Sequence, residues 1–256
     1  MKYTVLTLFP EITDAFFANS IMAKAVDKGI ITYQVINIRD YAQDKHHTCD
    51  DAPYGGGPGM LMLSEPLGRA LEAAGAKKGV SHPFKPRVIY LTPSGRPFNQ
   101  ALAKELAGED ELILLCGRYE GIDQRIIDRY VDDEISIGDY VLSSGEAAAL
   151  VIIDATYRLV DQVITSESLD EESFSGGLLE YPQFTRPEVY DTMRVPEVLL
   201  SGHHANIRRW RLEKRVEKTL ALRPDLIRRG EEAGLFDEET VSIIEELRKN
   251  ERNKGD

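Results

Sequence analysis

Cysteine, tryptophan, long apolar runs and any surplus of positive charge are all scarce in this sequence, and each shortage removes a class of protein. The two cysteines, Cys49 and Cys116, lie far apart and define no disulfide framework. No apolar stretch approaches the ~20 residues that a membrane helix needs. The opening residues, Met1-Lys-Tyr-Thr-Val-Leu-Thr-Leu-Phe9, alternate as a strand does and lack the apolar core of a signal peptide. The chain is therefore expected to be soluble and cytoplasmic, with no membrane partner. A net charge of −12 argues against a nucleic-acid binder of the uniformly basic kind.

Hydrophobic residues make up 42% of the 256 positions, ample for a core, and the length suits one large domain or a medium domain with a small one. Charge is unevenly distributed. Nine basic residues between Ser201 and Arg229 face only three acids, a local balance of +6. Between Asp161 and Gly176 there are five acids and no base. A polyanion can therefore bind one end of an acidic protein.

The amino-terminal part alternates strand and helix. Strands are expected at 2–8, 30–38, 87–92, 111–116 and 134–137, and helices at 14–28, 64–74, 98–107, 122–130 and 146–159. Such alternation predicts an α/β layer with a mostly parallel sheet. The 161–176 stretch, rich in serine and acid and with little periodicity, reads as a flexible acidic linker. Beyond Pro182 the pattern is helical. The expected organisation is a domain at 1–160, a linker at 161–176 and a small all-helical domain at 177–256, which the basic segment marks for RNA.

Two stretches carry the most information: Leu115-Cys-Gly-Arg-Tyr-Glu-Gly-Ile-Asp123 and Ile135-Ser-Ile-Gly-Asp-Tyr-Val-Leu-Ser-Ser-Gly-Glu146. Each begins as an apolar run and ends in glycines beside an acid and an aromatic. Glycine admits close backbone approach, and irregular chain at a strand end leaves N–H and C=O groups free to read a flat polar ligand. An adenine-bearing cofactor is the first expectation. The first strand, in contrast, runs into Leu8-Phe9-Pro10-Glu11 without a glycine, which disfavours an ordinary dinucleotide fold. Glu120, between two glycines, is a functional carboxylate on this reading, against the commoner role of a surface acid.

Other motifs carry less. Tyr54-Gly-Gly-Gly-Pro-Gly-Met60 can cradle phosphate through backbone N–H groups or be merely a tight turn. No Lys-Ser/Thr follows it, so it is not a P-loop; Gly57 and Gly59 in it are candidates for substrate contact. His46-His47 and His203-His204 have no second ligand pair at metal-binding spacing and read as solvated loops, so no metal site is expected. Trp210 reads as a core anchor on an amphipathic helix, while Arg208, Arg209 and Arg211 around it are candidates for RNA phosphates.

With these pieces in order the chain resembles the bacterial tRNA (guanine-N(1)-)-methyltransferase family, which modifies guanine at tRNA position 37 and belongs to the SPOUT superfamily of knotted methyltransferases. The resemblance rests on residues 53–60, on Tyr90-Leu-Thr-Pro-Ser-Gly-Arg96, on the two stretches above, on Gly177-Leu-Leu-Glu-Tyr-Pro-Gln-Phe-Thr-Arg-Pro187 and on 199–211. It implies a deep trefoil knot, a feature that pattern alone would not suggest. S-adenosylmethionine is then expected against Tyr90, Leu91, Thr92, Pro93, Gly117, Tyr119, Glu120, Ile137, Gly138, Asp139, Tyr140, Val141, Leu142, Ser144 and Gly145. The resemblance also implies an obligate homodimer with sites at the subunit interface, and magnesium assistance.

The family's general base is an aspartate before Ser-Phe. Here Glu172 stands before Ser173-Phe174 in a linker one residue shorter, and Asp170 becomes the base only after a register shift. Arg158 is implied as the cation that stabilises charge on guanine O6. Ser144 replaces a usual glycine, and Cys49 a usual aliphatic residue. A related knotted RNA methyltransferase with another target would lack the linker carboxylate before Phe174 and the arginine-rich helical part. A non-catalytic RNA-binding relative would have lost both glycine loops.

Overall fold

The protein, represented by a computed structural model, is described over residues 1–80, 82–165 and 172–254. It divides into two compact units, Met1–Ile164 and Thr165–Asp256.

The first unit runs β1 (Lys2–Thr7), α1 (Pro10–Phe17), α2 (Ser20–Asp27), β2 (Thr32–Asn37), a short antiparallel pair β3 (Asp50–Asp51) and β4 (Leu61–Met62), α3 (Ser64–Ala73), β5 (Arg87–Pro97), α4 (Gln100–Ala107), β6 (Glu111–Cys116), α5 (Gln124–Tyr130), β7 (Asp133–Ser136) and α6 (Glu146–Tyr157). Five strands form one parallel sheet in the order β2-β1-β6-β5-β7.

Central β6 shows why the sheet is covered on both faces. Leu112, Leu114 and Cys116 enter one apolar cluster with α1, α2, α4 and α6. Ile113 and Leu115 enter the other with α3 and α5. Successive side chains of a strand point to opposite faces, so a strand buried twice must be apolar throughout.

Local chemistry sets the helix ends. Asn99 Oδ1 accepts from Leu102 N–H at the start of α4, and Asp123 Oδ1 accepts from Arg125 N–H at the start of α5. The single helix expected at 14–28 is two helices, because Asn19 is extended and its side chain donates to the Ala15 carbonyl at 2.6 Å, closing the first. The strand expected at 87–92 continues to Pro97 after an excursion: Leu91 and Arg96 both pair with Ile135.

In the second unit, helices His204–Leu222, Pro224–Glu232 and Glu238–Lys254 gather Leu178, Val216, Ile227, Ile243 and Ile244 into one apolar cluster. The region after Pro182 is not helical throughout. Val189–Tyr190 and Met193–Arg194 form a hairpin whose turn residues, Asp191 and Thr192, both have positive φ. Of the expected linker, 161–164 falls in the first unit and 172–176 in the second, and 166–171 lies outside the described residues. The second part is tied down: the Phe174 N–H donates to the Leu178 carbonyl, and Arg215 donates to the carbonyls of Ser175 and Leu179.

Candidate functional site

Ligands of open parallel sheets sit beyond the carboxyl ends of the strands. In the first unit β5, β6 and β7 and the chain that follows them enclose a cleft with three walls, residues 90–93, 117–121 and 135–145 apart from Asp139, and Ala148 of α6 lines it as well.

Two glycines let the walls meet. A Cβ on Gly145 would lie 2.8 Å from Cys116 Cα and 2.9 Å from Gly117 N, so only glycine allows the start of α6 to rest on the end of β6. That contact is fixed by the Gly145 N–H donating to the Gly117 carbonyl at 2.9 Å and by a bridge between Arg118 and Ser144. Gly117 in turn lies under the ring of Tyr90. Burial pushes the Tyr90 phenol up, and the Glu134 charge adds to the effect, so the phenol is held protonated.

The loop between Gly117 and Gly121 leaves strand geometry at once. Tyr119 has a φ of 58°, a left-handed conformation uncommon outside glycine and concentrated where strain serves a site. Tyr140, Val141 and Leu142 on the facing wall are exposed at the rim. The Ser136 hydroxyl donates to the Gly138 carbonyl and shapes the exit of β7.

All the sequence-derived cofactor candidates line this cleft except Asp139, which is exposed just outside it. Arg118, Gly121, Ile135, Ser136, Ser143 and Ala148 line it as well and were not singled out. Arg118, Gly121, Ile135, Ser136 and Ser143 lie inside the quoted motifs; nothing in the sequence marks Ala148 beyond its nearness to them. Gly59 lies against the Glu120 side chain, and the Met60 carbonyl accepts from the Glu120 N–H at 3.0 Å, so the glycine loop borders the cleft at Glu120. Gly57 is open to solvent with no atom in reach of a would-be Cβ.

Arg158 is half-buried at the end of α6. Glu172, half-buried, is in the second unit, and its carbonyl accepts from the Ser175 N–H at 3.1 Å. Asp170 lies outside the described residues. Arg208 and Arg209 are exposed on the His204–Leu222 helix, each beside a carboxylate: Glu239 at 3.7 Å and Glu213 at 2.9 Å. Arg211 turns inward instead, its guanidinium 4.7 Å from the Tyr181 ring centre. Trp210 is half-buried near Phe184, outside the apolar cluster in which it was expected. Among the described residues no group of three His, Cys, Asp or Glu side chains can hold a metal ion, and no helix is long and apolar enough to cross a membrane.

Comparison with known proteins supplies a name for the pattern. Residues 1–229 match the sequence model of the family described as tRNA (Guanine-1)-methyltransferase TrmD. A tRNA (guanine-N(1)-)-methyltransferase of Treponema denticola is 63% identical over 247 residues, covering 96% of this chain and 99% of the relative. One from Treponema pallidum is 58% identical over 247 residues, 96% of each. Another, from Borreliella burgdorferi, is 57% identical over 228 residues, 88% of this chain and 92% of the relative.

Proposed function

The chain belongs to the tRNA (guanine-1)-methyltransferase family, and on that premise we propose how it performs this activity: methyl transfer from S-adenosylmethionine, bound in the β5–β6–β7 cleft, to N1 of guanine 37 of tRNA. Methylation of a tRNA guanine at N1 is the activity of the family. One observation carries the placement of the donor: the glycine-rich walls expected to hold it converge on a single cleft at the carboxyl end of a parallel sheet.

The residues fit the donor by their chemistry. The 137–142 wall offers backbone N–H and C=O groups for an adenine edge, and Leu91, Ile137 and Leu142 offer apolar contact. S-adenosylmethionine supplies a methyl already activated by its sulfonium. The protein's share is to orient two reactants and remove a proton. Guanine N1 is protonated and a poor nucleophile, so a carboxylate within hydrogen-bond reach must take that proton. We assign this to Glu172. Charge then develops on O6, where a fixed cation stabilises it, and we assign that to Arg158. No cluster among the described residues fits a magnesium ion, so no step is given to one.

The reading extends to a trefoil knot in the carboxyl half of the first unit, a helical tRNA-binding domain, a cytoplasmic location and a homodimer. Apolar Tyr140, Val141 and Leu142 exposed at the cleft rim support a dimer that covers them. Incubation of tRNA with the protein and isotopically labelled S-adenosylmethionine, followed by nuclease mapping and mass spectrometry, tests the whole. Label in 1-methylguanosine at position 37 is expected. Label on another base, on ribose or nowhere overturns it.

A further inference from the structure

The end of β1 carries no glycine and contributes nothing to the cleft lining, yet it touches both of the walls that meet there. Thr7, fully buried, donates its hydroxyl to Glu146 Oε1 at 2.5 Å and accepts the Phe9 N–H at 2.9 Å. Glu146 is the first residue of α6, directly after Gly145. The Phe9 ring carries the guanidinium of Arg118 at 4.8 Å, and Arg118 belongs to the opposite wall. One strand end thus braces the 117–121 wall through an aromatic ring and the 135–145 wall through a carboxylate.

Glu146 itself is only 2% exposed. Among the described residues no cation pairs with it, and its Oε2 has no hydrogen-bond partner. The buried Cys116 thiol is its neighbour: burial pushes that thiol well up, and the Glu146 charge adds to the shift. A buried, unpaired carboxylate costs stability that an apolar side chain of the same volume would spare. The amino end of α6 offsets part of this cost, since carboxylates in a first turn are favoured by the helix dipole. What the apolar alternative cannot supply is a strong, directed bond to a neutral hydroxyl, which a charged acceptor makes.

We propose that Glu146 is a positioning residue for methyl transfer: held by Thr7, it locks the first turn of α6 to the end of β1 and so keeps the 135–145 wall seated against the 117–121 wall. It rests on the reading that the cleft takes S-adenosylmethionine. The bond acts on the shape of the donor site and on nothing that touches RNA.

Calorimetry with S-adenosylhomocysteine, steady-state kinetics and thermal melting of Glu146→Gln, Thr7→Val and the double variant test it. Each single variant should weaken S-adenosylhomocysteine about tenfold and raise the KM for S-adenosylmethionine alike, the scale of one lost charge-assisted bond. The KM for tRNA should stay put. The double variant should be no worse than the worse single one, because both changes act on the same bond, Glu146→Gln by removing its charge assistance and Thr7→Val by removing its donor. Should Glu146→Gln fail to fold, Thr7→Val decides alone, since it keeps the carboxylate and the side-chain shape. Unchanged donor affinity in Thr7→Val, or losses that add fully in the double variant, overturns the inference. A wild-type chain that binds no S-adenosylhomocysteine overturns the functional reading beneath it as well.

Discussion

The Tyr90 ring occupies the place that any side chain on Gly117 would need: a Cβ built there meets Tyr90 Cε2 at 2.9 Å and the phenol oxygen at 3.1 Å. Real Cβ atoms do not approach that closely, so one wall of the cleft is formed by packing an aromatic ring on bare backbone. Gly117→Ala should tilt the ring and weaken S-adenosylhomocysteine by roughly tenfold, and Gly117→Val should abolish binding, with the far-UV circular dichroism of the folded protein retained. Roughly tenfold is the effect of a ~1.4 kcal/mol misfit. Unchanged affinity in calorimetry would remove Gly117 from the donor site.

Loss of a general base has a recognisable scale. Glu172→Gln should leave both ligands bound and slow single-turnover methylation by roughly 100-fold or more. Glu172→Asp should keep more activity than Glu172→Gln, and Asp170→Asn should be mild. A severe Asp170→Asn defect beside a near-normal Glu172→Gln would move the role to Asp170, and two near-normal variants would take it away from both.

The three arginines around Trp210 divide by environment. Arg208 and Arg209 are exposed, whereas Arg211 packs its guanidinium on Tyr181. Phosphate contacts release counterions, with a slope of about −0.9 in log affinity against log salt for each one. Arg208→Ala with Arg209→Ala should therefore weaken tRNA binding and flatten its salt dependence by up to about 2 units of slope. Thermal stability should hardly change. Arg211→Ala should instead destabilise the second unit, by about 1 kcal/mol for the lost cation–aromatic packing. Coincident salt slopes for wild type and the Arg208/Arg209 double variant would reduce that face to solvated surface.

Lys85, whose side chain is fully buried, forms an ion pair with Asp132, and Asp132 also accepts the backbone N–H groups of His82 and Val88. Removing one partner leaves an uncompensated buried charge. Asp132→Ala should cost roughly 3–5 kcal/mol in denaturant unfolding. A loss below ~1 kcal/mol, the range of an exposed pair, would show that the ion pair is wet in solution.

Strand β6 was legible to the residue because burial on both faces demands a continuous apolar run, and 112–116, directly after Glu111, is one. Two of the cleft walls were legible for a related reason: glycine beside acid and aromatic at two strand exits has few other uses, while the 90–93 wall entered through the family resemblance. The helix break at Asn19 was not, since one side chain bonding a carbonyl four residues back interrupts no periodicity. Nor was the 189–194 hairpin, whose turn uses Asp191 and Thr192 where Asn-Gly would have signalled it. Trp210 sits on a helix whose apolar stripe gathers Leu212, Val216 and Leu220, and pattern alone did not show that the ring points off that stripe. Glu146 lay inside a quoted motif, but a letter does not reveal that a carboxylate is buried.

The two free thiols lie on opposite sides of the sheet, Cys116 in the layer shared with α6 and Cys49 in the layer shared with α3. Alkylation requires an exposed thiolate, and burial pushes both thiols up. Neither should be modified until its own layer opens, so the speed of modification measures the free energy of that opening under native conditions. Cys116 reports on the joint between α6 and β6, and Cys49 on the opposite layer. The first unit thus contains two chemical clocks, one for each layer.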